Sequence, residues 1–75
     1  MDEDKIRELE AEKADLISQL TSPYSDIGDW KLNKQEEAAM LGKPAPYTEA
    51  QMQEYGVKRA TVRARINEIE QELQS

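Results

Sequence analysis

Apolar residues recur at alternating intervals of three and four near both ends of the chain. The N-terminal series is Ile6, Leu9, Lys13, Leu16 and Leu20, and the C-terminal series is Met52, Tyr55, Arg59, Val62, Ile66, Ile69 and Leu73. This spacing places each series on one face of a helix, as at the a and d positions of a coiled-coil heptad. The pattern predicts two long amphipathic helices, each carrying one basic residue in its apolar seam.

Residues typical of helix ends divide the chain into three predicted helices, spanning residues 2–21, 26–41 and 48–74. No window shows the strict alternation of a half-buried strand, and no internal repeat is present. The 75 residues are too few for more than one small domain. We therefore predict a single all-α domain in a three-helix arrangement, with a short middle helix.

Cap residues support the predicted ends of the second and third helices. Asp26 and Asp29 are interpreted as N-terminal caps of the second helix, where the helix dipole favours negative charge. Gly42 suits the position just beyond the C-terminus of that helix. Thr48 and Gln51 have the spacing of a capping box, in which each side chain accepts a hydrogen bond from the backbone of the other residue.

The two long helices are predicted to form an antiparallel coiled-coil hairpin in which the numbers of facing residues add to 75. This register pairs Ile6 with Ile69 and Leu9 with Ile66. It also brings opposite charges together beside the seam, whereas registers one heptad away oppose like charges. The predicted ion pairs are Glu10 with Arg63, Glu12 with Arg65 and Lys5 with Glu72. Each exposed pair contributes only about 0 to 1 kcal/mol, so the charges select the register more than they stabilise it.

The segment 58–65, KRATVRAR, is a candidate for binding a polyanion because of its basic residues. In the predicted hairpin Arg63 and Arg65 are neutralised by the first helix. Arg59 lies in the seam, and its guanidinium is expected to reach water beyond an apolar stem. No continuous basic stripe then remains free. The formal net charge of −6 also opposes non-specific binding to DNA or to an anionic membrane.

The middle helix has an apolar face that needs a cover. It is expected to pack across the connector end of the hairpin, near Ile17 and Gly56. Its face consists of Ile27, Trp30, Leu41 and either Ala38 or Met40. Trp30 is interpreted as a core anchor, with an exposed binding role as the alternative. Tyr24 and Tyr47 stand beside prolines at the two ends of the connector, where they either staple the loops or anchor a partner.

Composition removes most catalytic chemistry. The chain has no cysteine and no histidine, which excludes disulfides, thiolate or imidazole metal ligands and Cys/His catalysis. Paired carboxylates need a pocket that shifts a pKa, and a thin three-helix protein is not expected to enclose one. We predict no enzymatic activity, no catalytic residue, no metal and no cofactor. With neither a signal peptide nor a transmembrane segment predicted, a cytoplasmic location is expected.

The stretches SDIGDWK, EEAAMLGKPAPY and RARINEIEQEL lie within residues 22–73. With them, the chain resembles small helical-hairpin proteins of unassigned activity that are encoded by phages and prophages of gut bacteria. The resemblance carries no catalytic residue. It implies a compact hairpin that binds a host bacterial protein as an inhibitor or adaptor. The roles it implies include anti-defence activity and imitation of the charge of nucleic acid.

The leading hypothesis is a non-enzymatic protein-binding module whose partner has a basic surface. The predicted partner-binding residues are Tyr24, Asp26, Asp29, Trp30, Glu36, Glu37 and Tyr47. Two alternatives stay open. The first is self-association into a homodimer or larger bundle, as an assembly or virion component, which would bury Ala11, Ala14, Ile17, Ala60 and Ala64. The second is nucleic-acid binding through residues 58–65.

Overall fold

A computed structural model describes residues 2–74 of the chain. This part of the protein folds into three helices, α1 (Glu3–Thr21), α2 (Asp29–Met40) and α3 (Glu49–Gln74), and contains no strand. The predicted all-α class is confirmed. Helices α1 and α3 form the antiparallel coiled-coil hairpin, and α2 packs at its connector end with fewer contacts.

The apolar core follows the predicted seams. Leu9 and Ile69 are fully buried, and Ile66 is buried beside them near the free ends of the hairpin. Leu20 and Tyr55 are buried near the connector end. The seam residues between these two groups, Lys13, Leu16 and Val62, are only half-buried. The core therefore consists of two small clusters joined by looser layers.

The ion pairs beside the seam agree only in part with the predicted set. Arg65 binds the carboxylate of Glu12 through two hydrogen bonds of 2.6 and 2.9 Å, which confirms that pair. The predicted pair of Glu10 with Arg63 is wrong, because neither side chain makes an ion pair within residues 2–74. Arg63 instead lines a groove beside α2. An exposed ion pair gains too little free energy to offset the conformational entropy lost by two long side chains, so its absence costs little stability. The pair of Lys5 with Glu72 stays a prediction.

The molecule is a thin rod. It measures 53 × 19 × 16 Å, and its radius of gyration is 15.7 Å, whereas a compact domain of this length has about 11 Å. Its solvent-accessible surface is 5588 Å², against roughly 4,700 Å² expected for a compact protein of its mass. About 900 Å² of surface is thus exposed in excess of a compact shape.

Helix α2 begins at Asp29, three residues later than predicted. Turns occupy the preceding segment, with Ser25 N–H donating to Ser22 O at 3.3 Å and Gly28 N–H donating to Ser25 O at 3.1 Å. The N-cap position belongs to Gly28, and no side chain caps the helix there. Neither Asp26 nor Asp29 is therefore the N-cap, although Asp29 does place a negative charge in the first turn of α2, as the helix dipole favours. Turns form here in place of the predicted first turn of the helix, because hydrogen bonds from α3 hold the backbone of this segment.

Two other helix ends are as the sequence predicts. Thr48 N–H donates to Gln51 Oε1 at 2.8 Å, and Gln51 N–H donates to Thr48 Oγ1 at 3.1 Å, which completes the capping box. Gly42 adopts a φ of 68° after α2. Lys43 N–H donates to Ala38 O at 2.9 Å across this turn, the bond of a Schellman motif. None of the three helices, within residues 2–74, is long and apolar enough to cross a bilayer.

Candidate functional site

A buried arginine positions α2 against the hairpin. Arg59 is 7% exposed. Its guanidinium donates to Leu20 O at 3.3 Å, to Ile27 O at 2.8 Å and to the carboxylate of Asp29 at 2.5 Å. The expectation that this group reaches water is wrong. The last carbonyls of a helix lack intrahelical partners and carry partial negative charge, so the C-terminal end of α1 attracts the cation inward.

Tyr55 completes the same junction one turn earlier on α3. Its hydroxyl donates to Gly28 O at 2.6 Å, and its ring lies 5.4 Å from the guanidinium carbon of Arg59. Gly28 has no room for a side chain, because a Cβ there would collide with the carbonyl oxygen of Ser22. We call Arg59, Tyr55, Gly28 and Asp29 the Arg59 junction. It joins the end of α1, the first connector and the start of α2.

Aromatic residues and lysines tie α2 to the two connectors. Trp30 Nε1 donates to Ser25 O at 2.7 Å, and the ammonium groups of Lys31 and Lys34 lie 5.5 and 5.4 Å from the Trp30 ring centre. Lys31 also lies 5.7 Å from the ring of Tyr47. Such cation–π contacts contribute about 0.5 to 1 kcal/mol each at exposed sites. Trp30 and Tyr47 are both half-buried, so each has a local packing role.

The rest of α2 is largely uncovered. No residue of this helix is buried, and Met40 and Leu41 at its C-terminal end are 86% and 58% exposed. The expected packing of its apolar face against Ile17 and Gly56 is wrong. Ile17 remains exposed, and the space beside Gly56 is open. The Arg59 junction holds the N-terminal end of α2 close to the hairpin and leaves the other end projecting.

The exposed end of α2 forms one wall of a shallow cleft of about 280 Å³. Its apolar lining comes from Ala38, Leu41, Pro44 and Pro46, and charged side chains including Lys34 and Glu37 stand around it. We call this the α2 cleft. Its prolines follow the Gly42 turn, which reverses the chain against the helix. Their rigid rings offer an apolar wall with little conformational entropy left to lose.

The predicted partner-binding residues do not form one cluster. Asp26 and Tyr47 line a second cleft of about 330 Å³ between the connectors and α3. Tyr24 projects into solvent with 95% exposure, so it does not staple its loop. Glu36 and Glu37 are exposed on α2. Asp29 binds Arg59, and Trp30 packs on the first connector.

Most cations of the basic segment pair with other groups of the same chain, either at the surface or in the core. Lys58 lies 3.2 Å from a Glu54 oxygen, Arg59 is buried, and Arg65 binds Glu12 and Glu68. Hydrogen bonding by Arg65 lowers the pKa of the Glu12 carboxyl below its ordinary value, and the hydrogen bond to Glu12 raises the pKa of Arg65. Arg63 is the cation of this segment for which the described residues supply no ion pair.

The role of Arg59 is the feature that sequence reasoning missed. The only signal in the sequence is a basic residue at a seam position one turn after Tyr55, close to the level where α1 ends.

Within residues 2–74, no group of three or more acidic side chains is placed to hold a metal ion. No protein-family model matches the chain, and no curated protein or solved structure matches it significantly.

Proposed function

We propose that this protein is a non-enzymatic interaction module that docks the exposed end of α2 onto a partner protein. The observation that carries the proposal is the exposure of Met40 and Leu41 on a helix with no buried residue. An isolated helix of 12 residues is marginal in water. A partner that covers this end would both bury apolar surface and stabilise the helix.

The α2 cleft supports an apolar anchor from the partner. Its lining residues Leu41, Pro44 and Pro46 are exposed and close enough to enclose one side chain partly. Burying a Leu or Met side chain fully contributes about 1.5 to 3 kcal/mol before the costs of association are subtracted. Glu36 and Glu37 are exposed on the same helix, and they suit a partner with basic groups around its anchor.

The resemblance to phage and prophage proteins favours a partner from a bacterial host. A small acidic chain that occupies a basic surface would inhibit the host protein by covering it. The long-range attraction between a chain of net charge −6 and a basic surface raises the association rate at low salt. Binding should therefore weaken as ionic strength rises.

The test compares two charge insertions at exposed aliphatic positions. Leu41→Glu changes the α2 cleft, whereas Ile17→Glu places the same charge on α1 at a residue of similar exposure. Tagged wild-type protein should recover one stoichiometric partner from bacterial lysate. The Ile17→Glu control should recover the same partner, and Leu41→Glu should lose it. Equal recovery by both variants, or no stoichiometric partner for the wild type, would contradict the proposal.

Hydrogen exchange gives a second readout on the purified complex. Amides of α2 should exchange fastest among the three helices in the free protein, because α2 has no buried residue. The partner should slow exchange across residues 36–41 more than across α1. Protection confined to the hairpin would place the interface elsewhere and contradict docking through α2.

A further inference from the structure

A groove between α2 and α3 is a second candidate surface, separate from the α2 cleft. It measures about 380 Å³ and is open to solvent, and we call it the α3 groove. The groove exists because no Cα atom of α2 lies within 8 Å of a Cα atom of α3. Leu32 is 36% exposed, and a Cβ added to Gly56 would meet no atom within 4 Å. The lining residues are Leu32 of α2 and Met52, Tyr55, Gly56, Arg59, Ala60 and Arg63 of α3.

One polar side chain of the α3 groove has no partner within residues 2–74. Tyr55 donates a hydrogen bond to Gly28 O, and Arg59 donates to two carbonyl oxygens and to the carboxylate of Asp29. Arg63 is exposed and makes no ion pair with any described residue. No residue three or four positions away from it on α3 is acidic. The groove therefore combines an apolar lining with one uncompensated guanidinium.

We propose that the α3 groove docks a helix of a partner protein that presents an aliphatic side chain and, about one turn away, a carboxylate. Side chains of a helix lean toward its N-terminus, so Arg63 leans back toward Gly56, and both line the same groove. The aliphatic side chain fits at Gly56, where α3 has no side chain. The carboxylate accepts charge-assisted hydrogen bonds from Arg63.

The shape and charge of the molecule select this occupant. A small-molecule ligand is usually enclosed over most of its surface, which an open groove does not provide. A groove between two helices suits the side chains of a third helix. The net charge of −6 repels a strongly acidic partner, so a single carboxylate among apolar residues fits better than an acidic run. This preference is the opposite of the basic groups expected at the α2 cleft, so the two sites are independent.

Selection from a displayed library of short helical peptides tests the α3 groove. The baits are the wild type and Gly56→Leu, whose added side chain fills the groove. Leucine has a higher helix propensity than glycine, so this variant should fold. Peptides that bind only the wild type should carry an aliphatic residue with Glu or Asp about one turn away, whereas peptides held by the α2 cleft should bind both baits. An absence of peptides specific to the wild type, or specific peptides that are basic or uncharged, would overturn the proposal.

Isothermal titration calorimetry with one selected peptide then measures the role of Arg63. Arg63→Gln should weaken binding about fivefold, whereas Arg7→Gln, which removes the same charge from an exposed position of α1, should leave the affinity unchanged. Replacing the acidic residue of the peptide with its amide should weaken binding to the wild type but not to Arg63→Gln. Equal losses in both arginine variants, or additive losses from the protein and peptide changes, would refute the contact. If circular dichroism shows that Gly56→Leu fails to fold, Ala60→Leu blocks the groove from another lining position.

Discussion

Replacing Arg59 with methionine should lower the free energy of unfolding more than a substitution at any exposed position. Methionine keeps an unbranched apolar side chain in the seam but lacks the guanidinium that donates hydrogen bonds to Leu20 O, Ile27 O and Asp29. A buried acceptor left without a donor costs about 1 to 3 kcal/mol. Asp29 is half exposed, so its share is small after solvent screening.

The sum is a loss of about 3 kcal/mol in the free energy of unfolding. A domain of 75 residues has roughly 4 to 11 kcal/mol in total at typical stabilities per residue. Urea denaturation followed by far-UV circular dichroism measures the loss directly. Trp30 fluorescence provides a local probe, because this residue packs on the connector that Arg59 holds. In Arg59→Met the fluorescence transition should precede the loss of helix signal.

Two further variants separate charge from geometry. Arg59→Lys keeps the positive charge, but one ammonium group cannot reproduce the planar fork that reaches three acceptors, so most of the loss should remain. A double-mutant cycle with Asp29→Asn should give a coupling energy of about 1 kcal/mol for the ion pair. A loss below about 1 kcal/mol in Arg59→Met would refute the structural role assigned to this residue.

Three other substitutions test the remaining local contacts. Gly28→Ala should lower the free energy of unfolding by about 1 to 3 kcal/mol, because the added Cβ collides with the connector backbone. Gly56→Ala should raise the free energy of unfolding by about 0.5 to 1 kcal/mol, because the space beside Gly56 is open. Thermal denaturation distinguishes the two signs. Tyr55→Phe keeps the ring but leaves a carbonyl without its donor, so it should cost about 1 to 2 kcal/mol in the same assay. Glu12→Gln should be less stable than wild type at neutral pH, because hydrogen bonding by Arg65 holds the pKa of the Glu12 carboxyl below its ordinary 4.5. Since that stabilisation requires the ionised carboxylate, the difference should begin to shrink as the pH falls below 4.5 and should be lost as the pH falls through the lowered pKa of the folded state. A difference between wild type and Glu12→Gln that stays constant down to pH 3, a pH chosen about 1.5 units below the ordinary 4.5, would contradict the assigned pairing.

The sequence by itself determined the helices and several of their ends. The spacing of three and four places Leu9, Ile66 and Ile69 in the hairpin core, and all three are buried. The capping box of Thr48 and Gln51 was equally predictable, because its hydrogen bonds join residues three positions apart. Interactions of this kind depend on local spacing, and spacing is visible in the sequence.

The candidate site was much less predictable. Residues such as Trp30 and Tyr47 stood out by type, but their exposure depends on Lys31 and the connectors that pack on them. Leu41 entered the predicted apolar face of the middle helix, where a cover was expected. It is exposed because the Arg59 junction holds α2 to the hairpin at the N-terminal end of the helix only, so the C-terminal end with Leu41 projects.

Only the tertiary structure decided what Arg59 does and where α2 begins. Its acceptors Leu20 O and Asp29 lie 39 and 30 positions away along the chain. Their meeting requires the hairpin to close and the first connector to turn back on it. A seam arginine reaches water when nothing polar lies inside, and it stays buried when the end of a helix supplies acceptors. The spacing of residues is the same in both cases, so the choice belongs to the fold.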